Sequence, residues 1–80
     1  MHELGILCHA IKTVDKIAEK NGIEKIDFIT LEVGKTSSFV PEYFHKLYPV
    51  AIDSFERMQG STLKIELIEG DGLNIKEIGY

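Results

Sequence analysis

The chain has 80 residues, with nine Lys plus Arg against thirteen Asp plus Glu and a formal net charge of −4 at pH 7. This length allows one domain with a small core, and the acidic balance argues against nucleic acid and membrane surfaces as partners, because both favour a basic face. The single cysteine excludes an internal disulfide and a four-cysteine zinc site.

Residues 4–20 are predicted to form an amphipathic helix. Apolar residues recur there at three- and four-residue steps and form one stripe, which Ile17 is expected to widen: Leu4, Leu7, Ile11, Val14 and Ala18. Asn21-Gly22 supplies the left-handed stop that is typical of a helix C-terminus. Cys8 beside the stripe is interpreted as a small core residue, and His9 is expected to be exposed.

The start of this helix carries no targeting signal. The apolar stretch 4–10 is too short for a signal peptide and follows His2 and Glu3 rather than Lys or Arg. No stretch approaches the length of a membrane span. The sequence therefore predicts a cytoplasmic protein whose mature N-terminus is Met1.

Residues 26–33 are predicted to form a strand that ends at Gly34, because apolar and polar residues alternate there. Val40-Pro41-Glu42 is typical of a helix start. The second helix is expected to direct six side chains inward: Phe44, Leu47, Tyr48, Ala51, Ile52 and Phe55. Pro49 predicts a kink or a short break in this helix, because it removes one backbone hydrogen bond and clashes with the preceding turn.

The C-terminal segments 61–69 and 73–78 are predicted to form a hairpin around Gly70-Asp71-Gly72. A three-residue loop would place Glu66 opposite Lys76, whereas a two-residue loop would place it opposite another glutamate, so the longer loop is favoured. A strand–helix–strand crossover makes the first two strands parallel. The predicted fold is α+β in the order α-β-α-β-β, with two helices packed on one face of a three-stranded mixed sheet.

Met1-His2-Glu3 is the candidate metal site. The α-amine, the deprotonated amide nitrogen of His2 and its imidazole Nδ1 can form fused chelate rings around one ion, and planar nitrogen donors suit Ni(II) or Cu(II) rather than Zn(II). Glu3, water or a partner side chain could fill the fourth position. The alternative, that a histidine near a chain end is simply solvated, is commoner for an isolated tripeptide. The sequence shows no motif that supports an enzyme.

Four segments resemble, in order and spacing, the HypA nickel metallochaperones: Met1-His2-Glu3-Leu4, Leu31-Glu32-Val33-Gly34, Val40-Pro41-Glu42, and Gly60 with Leu63-Lys64-Ile65. The resemblance covers essentially the whole chain. It implies a protein that carries Ni(II) on its N-terminus and delivers it to the hydrogenase large subunit, or to urease, with the GTPase HypB. His2 is then expected to be the principal ligand, assisted by Met1 and Glu3.

The chain departs from this family at one place. HypA proteins insert a zinc domain with two Cys-x-x-Cys pairs between the last two strands, and here only the turn 69–72 stands there. The resemblance therefore predicts one nickel-binding domain over residues 1–80, without zinc. The alternative is a metal-independent docking module that kept the fold, with an available sheet edge and a strand-swapped homodimer as its assembly.

Overall fold

The computed structural model describes residues 2–80, without the side chain of His2. Two helices, three strands and a short 3-10 turn follow in order: α1 (His2–Lys20), β1 (Phe28–Gly34), α2 (Pro41–Ala51), the 3-10 turn (Glu56–Met58), β2 (Thr62–Ile68) and β3 (Leu73–Gly79). The predicted α+β class, the mixed sheet and the element order α-β-α-β-β are confirmed. In residues 2–80, neither helix combines the length and the apolar composition that a membrane span requires.

Helix α1 buries most of the predicted apolar stripe, although Leu4 is only half-buried and Ile17 is exposed, contrary to the prediction. Leu7, Ile11, Val14 and Ala18 are fully buried, Cys8 packs against the same core, and His9 is exposed. The helix ends where the glycine signal predicts. Gly22 has a φ of 70°, and the N–H of Ile23 donates to the carbonyl of Ala18 at 2.9 Å. This bond belongs to a Schellman stop, which satisfies a carbonyl that the helix leaves unpaired.

Strand β1 lies at the centre of the sheet, whose strand order is β2-β1-β3. It pairs in parallel with β2, as predicted, and antiparallel with β3. The predicted hairpin between the last two strands is wrong, because both strands pair with β1 instead of with each other. The reason is burial: Ile29, Leu31 and Val33 are all fully buried. The central position covers this most buried strand on both edges, whereas a β2–β3 hairpin would leave β1 at an edge.

The segment between β2 and β3 therefore crosses over the end of β1. We call residues 69–72 the crossing loop. The N–H of Gly34 donates to the carbonyl of Gly72 at 2.8 Å, and the N–H of Thr36 donates to the carbonyl of Gly70 at 3.0 Å. The Thr36 hydroxyl donates to that same carbonyl at 2.6 Å. These bonds fix the crossing loop on β1 and on the turn that follows it.

Helix α2 continues through Pro49 and ends two residues later at Ala51. The predicted break at Pro49 is therefore wrong. Pro49 lies in the last turn of an unbroken helix, and the N–H of Ile52 donates to the carbonyl of Tyr48 at 3.0 Å. Phe55 lies beyond the helix, contrary to the prediction, and is still packed against the core. Phe44 and Tyr48 face inward as predicted, and Tyr43 is exposed.

We expect Tyr48 to make the stability of the fold depend on pH above about 10. Its hydroxyl lies 2.7 Å from that of Ser61, and burial raises the pKa of the phenol, which this hydrogen bond partly offsets. Unfolding frees the phenol to lose its proton at its ordinary pKa, so stability is full below that value and falls as the pH rises towards the raised pKa of the folded state. Urea unfolding of Tyr48→Phe should show a shallower loss above pH 10 than the wild type.

Tyr43→Phe is the matched control for this prediction, because it changes an exposed tyrosine of the same helix and leaves the Tyr48 phenol in place. Its stability should follow the wild-type pH profile. If Tyr48→Phe also follows that profile, the buried phenol does not contribute to the alkaline loss of stability.

Candidate metal site

The three predicted ligands are consecutive in the sequence, and the second and third belong to the first turn of α1. Met1 lies outside the described residues. His2 is the first residue of α1, and its side chain is also outside the described part of the structure. Glu3 is fully described, and its side chain is buried, with 6% of the residue exposed. The structure therefore gives direct geometry for one of the three predicted ligands.

Glu3 joins the start of α1 to the start of α2. Its Oε2 accepts a hydrogen bond from the backbone N–H of Val40 at 3.1 Å, across 37 residues of sequence. Val40 precedes Pro41 with an extended backbone, φ −106° and ψ 110°, and its own side chain does not cap the helix. The carboxylate of Glu3 thus accepts from the N–H of the N-cap residue of α2, as the N3 glutamate of a capping box would.

The electrostatic field where α1 and α2 begin favours negative charge. A helix N-terminus carries a partial positive charge, and Glu3 lies in the first turn of α1 and is bonded to the residue before α2. Glu42 is the acidic residue in the first turn of α2. Both helix ends alone would repel a cation, so a cation can settle here only if negative or strong neutral donors accompany it. The two glutamates offset part of that positive field.

The backbone at this position suits metal coordination. The first four N–H groups of a helix have no acceptor within the helix. The amide of His2, the first residue of α1, is one of these groups. A metal that takes an amide nitrogen from His2, as the sequence predicts, would not have to break a helical hydrogen bond.

The other histidines are placed apart from this end. His9 is exposed on α1, as the sequence predicts, and His45 is exposed on α2. Within residues 2–80, the side chains described form no group of three His, Cys, Asp or Glu that could hold a metal ion.

Sequence reasoning missed the role of Val40. Its N–H is a backbone group, and it lies too far from Glu3 along the chain for any local pattern to link them. The capping signal at Val40-Pro41-Glu42 predicts the helix start without identifying Glu3 as its hydrogen-bond acceptor. Only the packing of α1 against α2 reveals that contact.

Two helices, a three-stranded mixed sheet and candidate metal donors at the start of the first helix define a small α+β domain with a candidate N-terminal metal site. The family model described as hydrogenase/urease nickel incorporation, metallochaperone, hypA matches residues 1–78. The chain belongs to the HypA family, whose members are nickel-binding metallochaperones rather than enzymes. A comparison with curated proteins finds no match. The single cysteine argues against a zinc domain of the four-cysteine type.

Proposed function

We propose that this protein is a nickel metallochaperone that delivers Ni(II) during the maturation of hydrogenase or urease, with its N-terminal residues as the binding site. The observation that carries the proposal is the family match over residues 1–78, which includes Met1-His2-Glu3 at the start of α1. Nickel is the cargo in this proposal. The structure supports it through the place of His2 in the first turn of α1, where N–H groups have no acceptor within the helix, and through the negative charge that Glu3 supplies there.

The proposed ligands have different tasks. The imidazole of His2 is the principal ligand, and the α-amine of Met1 completes a chelate with the backbone. Glu3 assists from a fixed position, because its bond to Val40 anchors the first turn of α1 to α2. Water or a partner's donor would complete the coordination. Such a site at a chain end lets a receiving protein approach the ion directly, as a carrier requires.

The proposed partners follow from the family: a HypB-type GTPase and the hydrogenase large subunit, in the cytoplasm. We further propose that residues 1–80 form one nickel-binding domain in which the crossing loop takes the position of the zinc domain. In the structure, four residues connect β2 to β3 over the end of β1. The hydrogen bonds from Gly34 and Thr36 hold the loop in that position, which supports the assignment.

The decisive experiment is calorimetric titration of the untagged protein with Ni(II). His2→Ala should weaken binding by at least about tenfold, equivalent to about 1.4 kcal/mol. Acetylation of the α-amine should weaken it similarly, because the amide formed cannot donate as the amine does. His9→Ala and His45→Ala are the matched controls, since both histidines are exposed and neither lies in the first turn of its helix.

Equal affinity of the wild type and His2→Ala would refute the proposed site. An equal loss in the His9→Ala control would show that nickel binds the surface histidines instead. Either result would leave the family assignment intact and remove only the N-terminal site.

A second candidate function is metal-independent docking, which the open edge of β2 favours. It predicts a complex with the GTPase that forms without nickel and persists in His2→Ala. The nickel carrier instead predicts that loss of His2 abolishes metal transfer in a reconstituted system. Pull-down with the two purified proteins, with and without Ni(II), separates these two functions.

A further inference from the structure

The two edges of the sheet differ in regularity. Strand β2 forms one edge with seven residues, contains no proline, and pairs with β1 in an unbroken register from Thr62 to Ile68. Strand β3 forms the other edge and carries a register shift opposite Thr30 and Leu31. Bulges of this kind twist an edge and discourage further pairing, whereas a straight, regular edge invites it. The edge of β2 is therefore the better surface for another strand.

The backbone of β2 shows which residues face outward. The N–H of Thr62 donates to the backbone carbonyl of Asp27 at 3.0 Å, and the carbonyl of Ile68 accepts from the backbone N–H of Lys35 at 2.8 Å. The even-numbered residues of β2 therefore direct their backbone N–H and carbonyl groups towards β1. Because this direction alternates along a strand, the odd-numbered residues present their N–H and carbonyl groups to the open edge: Leu63, Ile65 and Leu67.

We propose that this edge binds a second copy of the chain, with β2 pairing antiparallel to the β2 of the other copy around Ile65. The inference goes beyond the proposed nickel function and does not depend on it. Pairing centred on Ile65 sets Leu63 opposite Leu67 twice and Ile65 opposite itself, which makes three hydrogen-bonded pairs. The two three-stranded sheets then join into one continuous sheet of six strands.

Charge selects this register. Centred on Ile65, the pairing places Lys64 of each copy opposite Glu66 of the other, so opposite charges meet twice. A shift centred on Lys64 would place two lysines opposite each other, and a shift centred on Glu66 would place two glutamates opposite each other. All three registers use the same outward-facing backbone groups, so the side-chain charges decide among them.

The side chains of both charged residues already lie over the outer face of the sheet. The Nζ of Lys64 lies 4.0 Å from the centre of the Phe28 ring, and Glu66 pairs with Lys76 at 2.8 Å across β1. The copy would extend this row of alternating charges beyond the edge. On the helix-covered face, Leu67 is 56% exposed, and the dimer would cover it with Leu63 of the other copy.

A pair of charge-reversal variants tests this proposal by sedimentation equilibrium of the untagged protein. The wild type should dimerise at high micromolar concentration. In a Lys64→Glu dimer, glutamates at positions 64 and 66 would face each other twice. In a Glu66→Lys dimer, lysines would face each other at the same positions. Each variant alone should therefore dimerise about tenfold more weakly than the wild type. An equimolar mixture should recover the dimer, because every cross-strand pair is then complementary again.

Lys46→Glu on the exposed surface of α2 is the matched control, because it reverses one charge away from β2 and should dimerise as the wild type does. Circular dichroism of each variant confirms folding before the comparison. A wild type that stays monomeric at all concentrations would overturn the proposal. So would dimers that ignore the charge of residues 64 and 66, since a strand-swapped dimer would behave in that way.

Discussion

Replacing Gly34 with alanine is expected to lower the free energy of unfolding by about 3 kcal/mol. A methyl group on Gly34 would meet the carbonyl oxygen of Gly70 and lie 2.6 Å from the carbonyl carbon of Asp71. Both are backbone atoms of the crossing loop, which cannot rotate away as a flexible side chain can. The loop would have to move, and movement would break its hydrogen bonds to Gly34 and Thr36.

The measurement is urea unfolding followed by circular dichroism, with Gly5→Ala as the matched control. Gly5 lies within α1, and a methyl group there would meet open space. The same chemical change should therefore stabilise the protein by about 0.5–1 kcal/mol, because alanine is favoured over glycine inside a helix. A Gly34→Ala variant as stable as the wild type would contradict the close approach of the crossing loop to β1.

Removing the carboxylate of Glu3 is expected to cost about 2 kcal/mol of stability, because Glu3→Ala leaves the N–H of Val40 without its buried charged acceptor. Glu3→Gln keeps an amide oxygen in place of the carboxylate oxygen, so it should cost about half as much. Thermal unfolding of the metal-free protein measures both variants. Glu42→Ala is the control, since this exposed acid of the first turn of α2 should contribute no more than about 0.5 kcal/mol.

The glutamine variant also separates the two tasks proposed for Glu3. If Glu3 assists nickel binding through its charge, Glu3→Gln should weaken Ni(II) binding although the folded structure is largely retained. If its task is only to hold α1 on α2, nickel affinity should remain at the wild-type level in Glu3→Gln. Equal stability of Glu3→Ala and the wild type would instead dismiss the anchoring contact itself.

The sequence predicts the helices and strands of this fold better than it predicts which strands lie side by side. The stripe from Leu4 to Ala18 and the stop at Gly22 determine α1 locally, and the alternation in the three strands is equally local. Strand partners are not local. The turn signal at Gly70-Asp71-Gly72 predicts that the chain reverses direction there, which is correct. The burial of β1 decides that β2 and β3 lie on either side of it.

The ion pair between Glu66 and Lys76 illustrates the same limit. The sequence predicts it from a hairpin register, and the structure forms it at 2.8 Å, yet the two residues belong to strands separated by β1. Long side chains can span the central strand, so a correct contact arose from a wrong pairing. At the candidate site, Met1-His2-Glu3 can be recognised from sequence, whereas the anchoring of Glu3 on Val40 depends on how the two helices pack.

The central position of β1 also has a consequence for the order in which the protein can be completed during synthesis. Strand β1 is made early but receives its second partner only when residues 73–79 have left the ribosome. Until then one edge of its most buried segment has no strand beside it. Since long-range pairing of this kind is slow to form, the sheet beneath α1 is finished last. A nascent chain would therefore expose its N-terminal residues well before the supporting sheet exists, and metal loading would best follow release of the completed domain.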